Sequence, residues 1–139
     1  SVVIIGGSGS GKSVLLKCLA GLEMPDKSSK ILIENADLTF QHISKRVSFL
    51  KKFGMLFQNN ALFDSLLVWQ NICFNLLTNS ALTSKEAIEH AEEKLNMVGL
   101  KKDVLWSYPV ELSGGMQKRV AIARAIAMNP EVIFFDEPT

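Results

Sequence analysis

An α/β fold with a parallel sheet and a mainly helical insertion is predicted for this 139-residue chain. Two observations carry that prediction. The apolar runs Ser1–Ile5 and Val132–Phe135 have the length and the β-branched or aromatic content of strands buried on both faces. Between them, stretches of helical periodicity alternate with strand-like segments, which is the pattern of helices packed on a parallel sheet.

In chain order, Ser1–Ile5 is the first strand and runs into a glycine cluster. From Lys12 to Leu22, Val14, Leu15, Cys18, Leu19 and Leu22 recur at helical spacing until Pro25-Asp26 breaks the pattern. Ile31–Glu34 reads as a short strand and Asn35–Asp37 as a turn, with a helical reading for the mixed stretch Ser44–Lys52. Gly54–Gln58 is a further strand, and Leu62–Leu77 is apolar and partly helical without a clean period. Thr83 and Glu86 have capping-box spacing for a helix whose apolar face is Ile88, Ala91, Leu95 and Val98, closed by Gly99. Ser113–Met128 is an amphipathic helix opened by Gly114-Gly115 and stopped by Asn129-Pro130. Val132–Phe135 then ends at Asp136-Glu137. The helical insertion lies between about residues 59 and 112.

With 47% hydrophobic and 21% charged residues, the composition is that of an ordered globular domain rather than a disordered chain. A net charge of +1 argues against a dominant electrostatic partner such as duplex DNA or an acidic membrane surface. Cys18 and Cys73 are isolated thiols without metal-ligand spacing, which suits a reducing compartment. No apolar run approaches the roughly 20 residues needed to span a bilayer. The chain begins inside an apolar run and stops just after an acidic pair, so it is read as a segment of a longer protein.

Gly6-Gly7-Ser8-Gly9-Ser10-Gly11-Lys12-Ser13 satisfies the pattern G-x-x-x-x-G-K-[ST], directly after a predicted strand and directly before a predicted helix. Glycines let such a loop curl so that successive N–H groups face phosphate oxygens, and the helix N-terminus adds the positive end of its dipole. Lys12 is then placed to bridge the β- and γ-phosphates, and the Ser13 hydroxyl to ligate Mg²⁺. This motif by itself indicates a nucleotide phosphate and nothing finer. Asp136 and Glu137 follow a predicted strand, and ligand sites of open α/β sheets lie outside the carboxyl ends of strands. Asp136 suits Mg²⁺ through its water shell, and Glu137 suits a general base that polarises the attacking water.

Leu112-Ser113-Gly114-Gly115-Met116-Gln117 places a serine and two glycines at the start of a long helix, a second anion-binding nest. Ser113 is also a plain N-cap, and the two readings are compatible. One γ-phosphate has little use for two nests from one subunit. A head-to-tail pair, each nest covering the other subunit's nucleotide, accounts for both.

These six residues resemble the signature sequence of ABC ATPases, and the glycine loop and acidic strand resemble that family's Walker A and Walker B motifs. Gln58 is similar in position to the family's Q-loop glutamine. The resemblance spans essentially the whole chain. It implies an ABC-type P-loop ATPase fragment truncated at both ends, with a RecA-like core of residues 1–58 and 113–139 and a helical subdomain of residues 59–112. It also implies ATP and Mg²⁺ as cofactors, bound in a dimer. Gly6 to Ser13 would hold the phosphates, Ser13, Gln58 and Asp136 the metal, and Glu137 with Gln58 the water. Ser113, Gly114 and Gly115 of the opposing subunit would close over the γ-phosphate. An adenine-stacking aromatic is expected before Ser1, and the D-loop and switch histidine after Thr139. His42 and His90 do not match that histidine and read as surface residues.

Finer resemblance lies in Met55-Leu56-Phe57-Gln58 followed by Ala61-Leu62-Phe63-Asp64-Ser65, and in Tyr108-Pro109 with Glu111-Leu112. These are similar to the ATPase subunits of Mla-type bacterial phospholipid transporters, also called toluene-tolerance or organic-solvent-resistance transporters. Asn60, Gln70 and Asn75 depart from that pattern. The implied partners are a second nucleotide-binding domain, in a homodimer, and a transmembrane permease subunit. The implied place is peripheral, on the cytoplasmic face of the inner (plasma) membrane, with no nucleic acid bound. Leu62, Phe63, Leu66, Leu67 and Trp69 are more apolar than a solvated surface requires, which suits either core packing or a docking groove for the permease. The competing class is a soluble ABC ATPase acting on ribosomes or DNA without a membrane partner.

Overall fold

The computed structural model describes residues 2–33, 36–37, 39, 52–57, 60–79 and 82–136. The chain forms two compact units, Ser1–Phe53 and Gly54–Thr139.

In the first unit, helix α1 (Lys12–Leu19) follows Gly11, whose φ of 88° is left-handed. The helix ends before the predicted Leu22. Leu22 N–H donates to Lys17 O and Gly21 N–H to Cys18 O, a Schellman stop that uses Gly21 at φ 72°. Strands β1 (Leu32–Ile33) and β2 (Ala36–Asp37) pair antiparallel, with Leu32 opposite Asp37 and Ile33 opposite Ala36. The predicted turn at Asn35–Asp37 therefore gives way to a return strand at Ala36. The buried Thr39 hydroxyl closes this hairpin, accepting from Ile31 N–H at 2.7 Å and bonding Asp37 Oδ1 at 2.6 Å. Those Thr39 hydrogen bonds hold the Asp37 carboxyl below its usual range.

The expected strand at Ser1–Ile5 is not formed over residues 2–5, and Val2 and Ile5 are 93% and 90% exposed. An apolar run becomes a buried strand only when neighbours supply a hydrogen-bond ladder and cover. Among the described residues no strand pairs with it. The predicted helix at Ser44–Lys52 falls almost entirely outside the described residues.

The second unit holds the main core. Strand β3 (Phe53–Leu56) pairs with β4 (Val132–Phe135). Asp136 N–H donates to Leu56 O at 3.0 Å, so the carboxyl ends of the two strands coincide and the pair is parallel, as predicted. β4 is less covered than a strand buried on both faces, since Val132 and Phe135 are exposed. Among the described residues its pairing is to β3.

Helices α2 (Val68–Asn79), α3 (Ser84–Met97) and α4 (Gly114–Ile126) pack on one another around Val68, Ile72, Cys73, Ala91, Leu95 and Val120. Thr83 Oγ1 accepts from Glu86 N–H while the Glu86 carboxylate accepts from Thr83 N–H at 2.8 Å, the predicted capping box. At the other end Gly99, at φ 70°, lets Leu100 N–H reach Leu95 O and Gly99 N–H reach Asn96 O. Cys73 is buried, its thiol donates to Ala87 O at 3.1 Å, and burial pushes its pKa up to about 11, so it is unreactive. Cys18 and Cys73 are both free thiols.

Two polar side chains of α3 grip the end of α4. His90 Nε2 bonds Ala127 O at 2.8 Å, so His90 is half-buried rather than the surface residue expected. Buried Lys94 donates to Asn129 Oδ1 at 2.8 Å and to Glu93 at 3.0 Å. His90 thereby satisfies a carbonyl at the end of a helix whose last carbonyls lack partners within it, while Lys94 ties down the Asn129 side chain just beyond it.

Candidate functional site

The loop Gly6–Gly11 is exposed throughout and passes directly into α1. Gly9 and Gly11 have φ of 78° and 88°, a region that penalises any side chain, so these two glycines are required by the backbone itself. At Gly6 a Cβ would lie 2.7 Å from Ser10 Oγ, a contact that rotation of the serine side chain relieves. Ser10 N–H closes the turn onto Gly7 O at 3.2 Å. The Lys12 ammonium arches back across the loop and donates to Gly6 O at 2.8 Å and Gly7 O at 2.9 Å. The loop is thus a preformed ring with a cation over it and a helix N-terminus beneath it. That donor set fits a phosphate, which would replace the two carbonyls on Lys12. Ser13 is half-buried in the first turn of α1.

At the acidic strand end, Asp136 is half-buried and its main chain is tied to the end of β3. Among the described residues no three His, Cys, Asp or Glu side chains gather into a metal cage. Ser13 and Asp136 are hard oxygen donors of the kind Mg²⁺ takes. Gln58 and Glu137 lie outside the described residues.

The second nest is built as the sequence suggests. Ser113 Oγ caps α4 by accepting from Met116 N–H at 3.3 Å. Behind it, Gln117 Nε2 donates to Pro109 O at 2.9 Å and Leu112 O at 3.3 Å, bracing the tight turn of Pro109–Glu111 against the helix. Ser113, Gly114 and Gly115 are exposed, and a Cβ at either glycine would meet nothing within 4 Å. Neither glycine has a positive φ. Glycine in a helix costs up to about 1 kcal/mol against alanine. Among the described residues no packing or backbone demand accounts for two of them in the first turn.

The chain is matched from residue 1 to residue 139 by the sequence profile of the family described as ABC transporter. This chain belongs to the ABC transporter family, as part of its ATP-binding domain. It is 42% identical over 139 residues to the sulfate/thiosulfate import ATP-binding protein CysA of Thermosynechococcus vestitus, covering 99% of this chain and 38% of that protein. It is 43% identical over 138 residues to the glutamine transport ATP-binding protein GlnQ of Geobacillus stearothermophilus, covering 99% of this chain and 56% of that one. The chain therefore spans between about a third and just over half of the length of these curated relatives. Among solved structures it resembles a dimeric ATP-binding cassette, MJ0796, in a post-hydrolysis state bound to ADP and Pi. That match has a TM-score of 0.85 and 34% identity over 96% of this chain and 58% of the other. The α/β ABC ATPase fold expected from the sequence is thereby shown.

Several residues that shape the site carried no motif. Buried Asn71 accepts from Phe63 N–H at 2.8 Å and donates to Phe63 O, Leu66 O and Leu67 O, fixing the loop after Gln58. Arg124 donates to Asn60 O and Ala61 O of the same loop. Gly54 is buried where a Cβ would run into the Ala125 carbonyl oxygen and the Pro130 ring. The available signals were weak: Asn71 is one of four amide side chains in its helix, and Arg124 one of three cations in an alanine-rich one. Of the apolar residues after Gln58, Leu62 and Trp69 pack on the core, while Phe63 is 42% exposed and stacks on Phe74.

Proposed function

We propose that this chain is the phosphate-binding and signature-bearing part of a transport ATPase subunit. In this reading it hydrolyses Mg-ATP in a site shared between two copies. The observation that carries it is the pair of exposed glycines at Gly114-Gly115, which nothing among the described residues of their own chain requires. Close approach by an outside phosphate explains their smallness, and the dimeric state of the MJ0796 cassette supports a second copy as its bearer. Gly6, Gly7, Ser8, Gly9, Ser10 and Gly11 surround the phosphates, Lys12 neutralises them, and Ser13, Gln58 and Asp136 hold Mg²⁺. Glu137 takes the proton of the attacking water, oriented with Gln58, while the other copy's Ser113, Gly114 and Gly115 close the γ-phosphate. Metal bound there supplies charge neutralisation to the transferring phosphoryl group.

In the same reading, residues 1–58 and 113–139 form the RecA-like core and 59–112 the helical subdomain. The transported substrate is a phospholipid and the partner a transmembrane permease, supported by the stretch Met55–Leu66 and by the transport names of the relatives. Those relatives carry names as different as sulfate and glutamine at 42% and 43% identity, so cargo choice rests with the permease rather than with these residues. No described helix is long and apolar enough to cross a membrane, consistent with a peripheral subunit on the cytoplasmic face.

Nucleotide binding tests the core of the proposal. Truncating one partner of a buried charge pair costs about 2 to 5 kcal/mol, so Lys12→Ala in the full-length protein should weaken Mg-ATP binding at least about 30-fold. Calorimetric titration showing wild-type affinity would remove the phosphate-loop assignment.

A further inference from the structure

The turn that leads into the Ser113 nest is closed by a side chain from the helix that the nest opens. Gln117, the fourth residue of α4, reaches back so that its Nε2 donates to Pro109 O at 2.9 Å and to Leu112 O at 3.3 Å. Helical side chains lean toward their own N-terminus, so a long amide at this position is directed at the chain that precedes the helix. The Gln117 main-chain N–H donates to Ser113 O at 2.9 Å. The two peptide planes that meet at the Ser113 Cα are therefore both bonded to Gln117, one by its side chain and one by its backbone.

The approach to the nest is fixed by other contacts as far as Leu112. Ser107 O accepts from Val68 N–H at 2.9 Å, while Glu111 N–H and Leu112 N–H donate to Tyr108 O and Pro109 O at 3.0 and 3.1 Å. The Glu111 carboxylate accepts from Tyr108 N–H at 2.6 Å. Pro109 and Leu112 are buried, which seats this turn in the core. None of those contacts holds the Leu112 carbonyl, whose partner among the described residues is the Gln117 amide. In a planar trans peptide the C=O and N–H point opposite ways. The direction of Leu112 O thus sets the direction of Ser113 N–H and the line on which the Ser113 Cα leaves the turn.

We propose that Gln117 is a positioning residue for the Ser113 nest. It fixes the Leu112–Ser113 peptide, and so the place of the Ser113 hydroxyl and of the Gly114 and Gly115 N–H groups, which as the first of a helix have no acceptor within it. The inference rests on the reading of that nest as the cover of another copy's γ-phosphate. A purely structural glutamine would affect unfolding alone. A positioning glutamine must weaken the nucleotide-driven pairing of copies while each copy keeps its own nucleotide affinity, because the Lys12 loop belongs to the other compact unit.

The test uses the full-length protein with Mg²⁺ and a non-hydrolysable ATP analogue, and reads the dimer dissociation constant by sedimentation velocity. Nucleotide affinity is read separately, with a fluorescent ATP analogue and protein too dilute to pair. The variants are Gln117→Met, which keeps the length and removes the donor, Gln117→Glu, which turns an acceptor toward two carbonyls, and Ser113→Arg. One net hydrogen bond is worth a factor of about 2 to 10, and a two-fold pair feels its loss at both nests, so Gln117→Met should raise the dimer dissociation constant about 10-fold or more. Gln117→Glu should raise it further, and both should bind nucleotide as the wild type does when dilute. A wild-type dimer constant for Gln117→Met, where Ser113→Arg blocks pairing, overturns the inference and leaves the shared site standing. So does a loss of nucleotide affinity in the dilute protein as large as the loss of pairing, which marks general damage to the fold. Pairing that is absent in the wild type, or undiminished by Ser113→Arg, removes the shared-site reading and the inference with it. Should Gln117→Met fail to fold, Gln117→Glu carries the same comparison, and unaltered pairing there overturns the inference.

Discussion

Lys12 shows how a single side chain records the chemistry of a loop before any ligand arrives. Its ammonium lies on the Gly6 and Gly7 carbonyls, so the loop is curled around a positive charge. Gly54 is the opposite case, a glycine needed only for packing. Because the Ala125 carbonyl and the Pro130 ring occupy the space a Cβ would take, β3 can lie against the end of α4 only without a side chain there. Backbone cannot yield as a flexible side chain can. Gly54→Ala is therefore expected to destabilise the protein by about 2 to 3 kcal/mol, at the upper end of overpacking effects. Denaturant unfolding checks this, and a loss under 0.5 kcal/mol, on the scale of ordinary surface substitutions, would mean that α4 can move away from β3 at little cost. The phosphate loop was legible because its residues are consecutive and each obeys a local rule. Arg124, Asn71 and Gly54 were not, because their partners lie elsewhere in the chain and no spacing announces them.

At the scale of elements, α3 was legible from end to end, since both of its stops are written within a few residues of chain. Its capping box also carries a pH signature. Hydrogen bonds from Thr83 hold the Glu86 carboxyl below its ordinary value. A carboxyl whose folded pKa is depressed contributes stability above its unfolded pKa, and that contribution fades as pH falls through the folded one. Loss of a threonine N-cap costs about 1 kcal/mol, so Thr83→Ala should lower the unfolding midpoint at neutral pH. The deficit should begin to shrink as pH falls below the unfolded-state value of about 4.3, and go on shrinking without vanishing until the pH is below the depressed folded value. A pH-independent deficit in thermal melts would show that the Glu86 half of the box contributes nothing. Strands were less legible than helices for a physical reason. Val132–Phe135 and Ser1–Ile5 have the same apolar character, yet one pairs with β3 and the other is exposed over residues 2–5. Composition reports that a segment suits a sheet; only the neighbours decide whether it joins one.

For the whole molecule, the account makes the chain incomplete as an active site even where every motif is present. Under the proposed function the Lys12 loop binds one nucleotide, and the Ser113 nest, where a Cβ at either glycine would meet nothing within 4 Å among the described residues, serves another copy's nucleotide. α4 carries that nest at its first turn and Arg124 near its last. The most direct measurement is light scattering after size-exclusion chromatography on full-length Glu137→Gln, with and without Mg-ATP, alongside the same protein carrying Ser113→Arg. The account predicts a monomer without nucleotide, a dimer with Mg-ATP, and a monomer in both conditions once Ser113 is arginine. A protein that stays monomeric in saturating Mg-ATP, or that dimerises as well with Ser113→Arg as without it, would contradict the shared site.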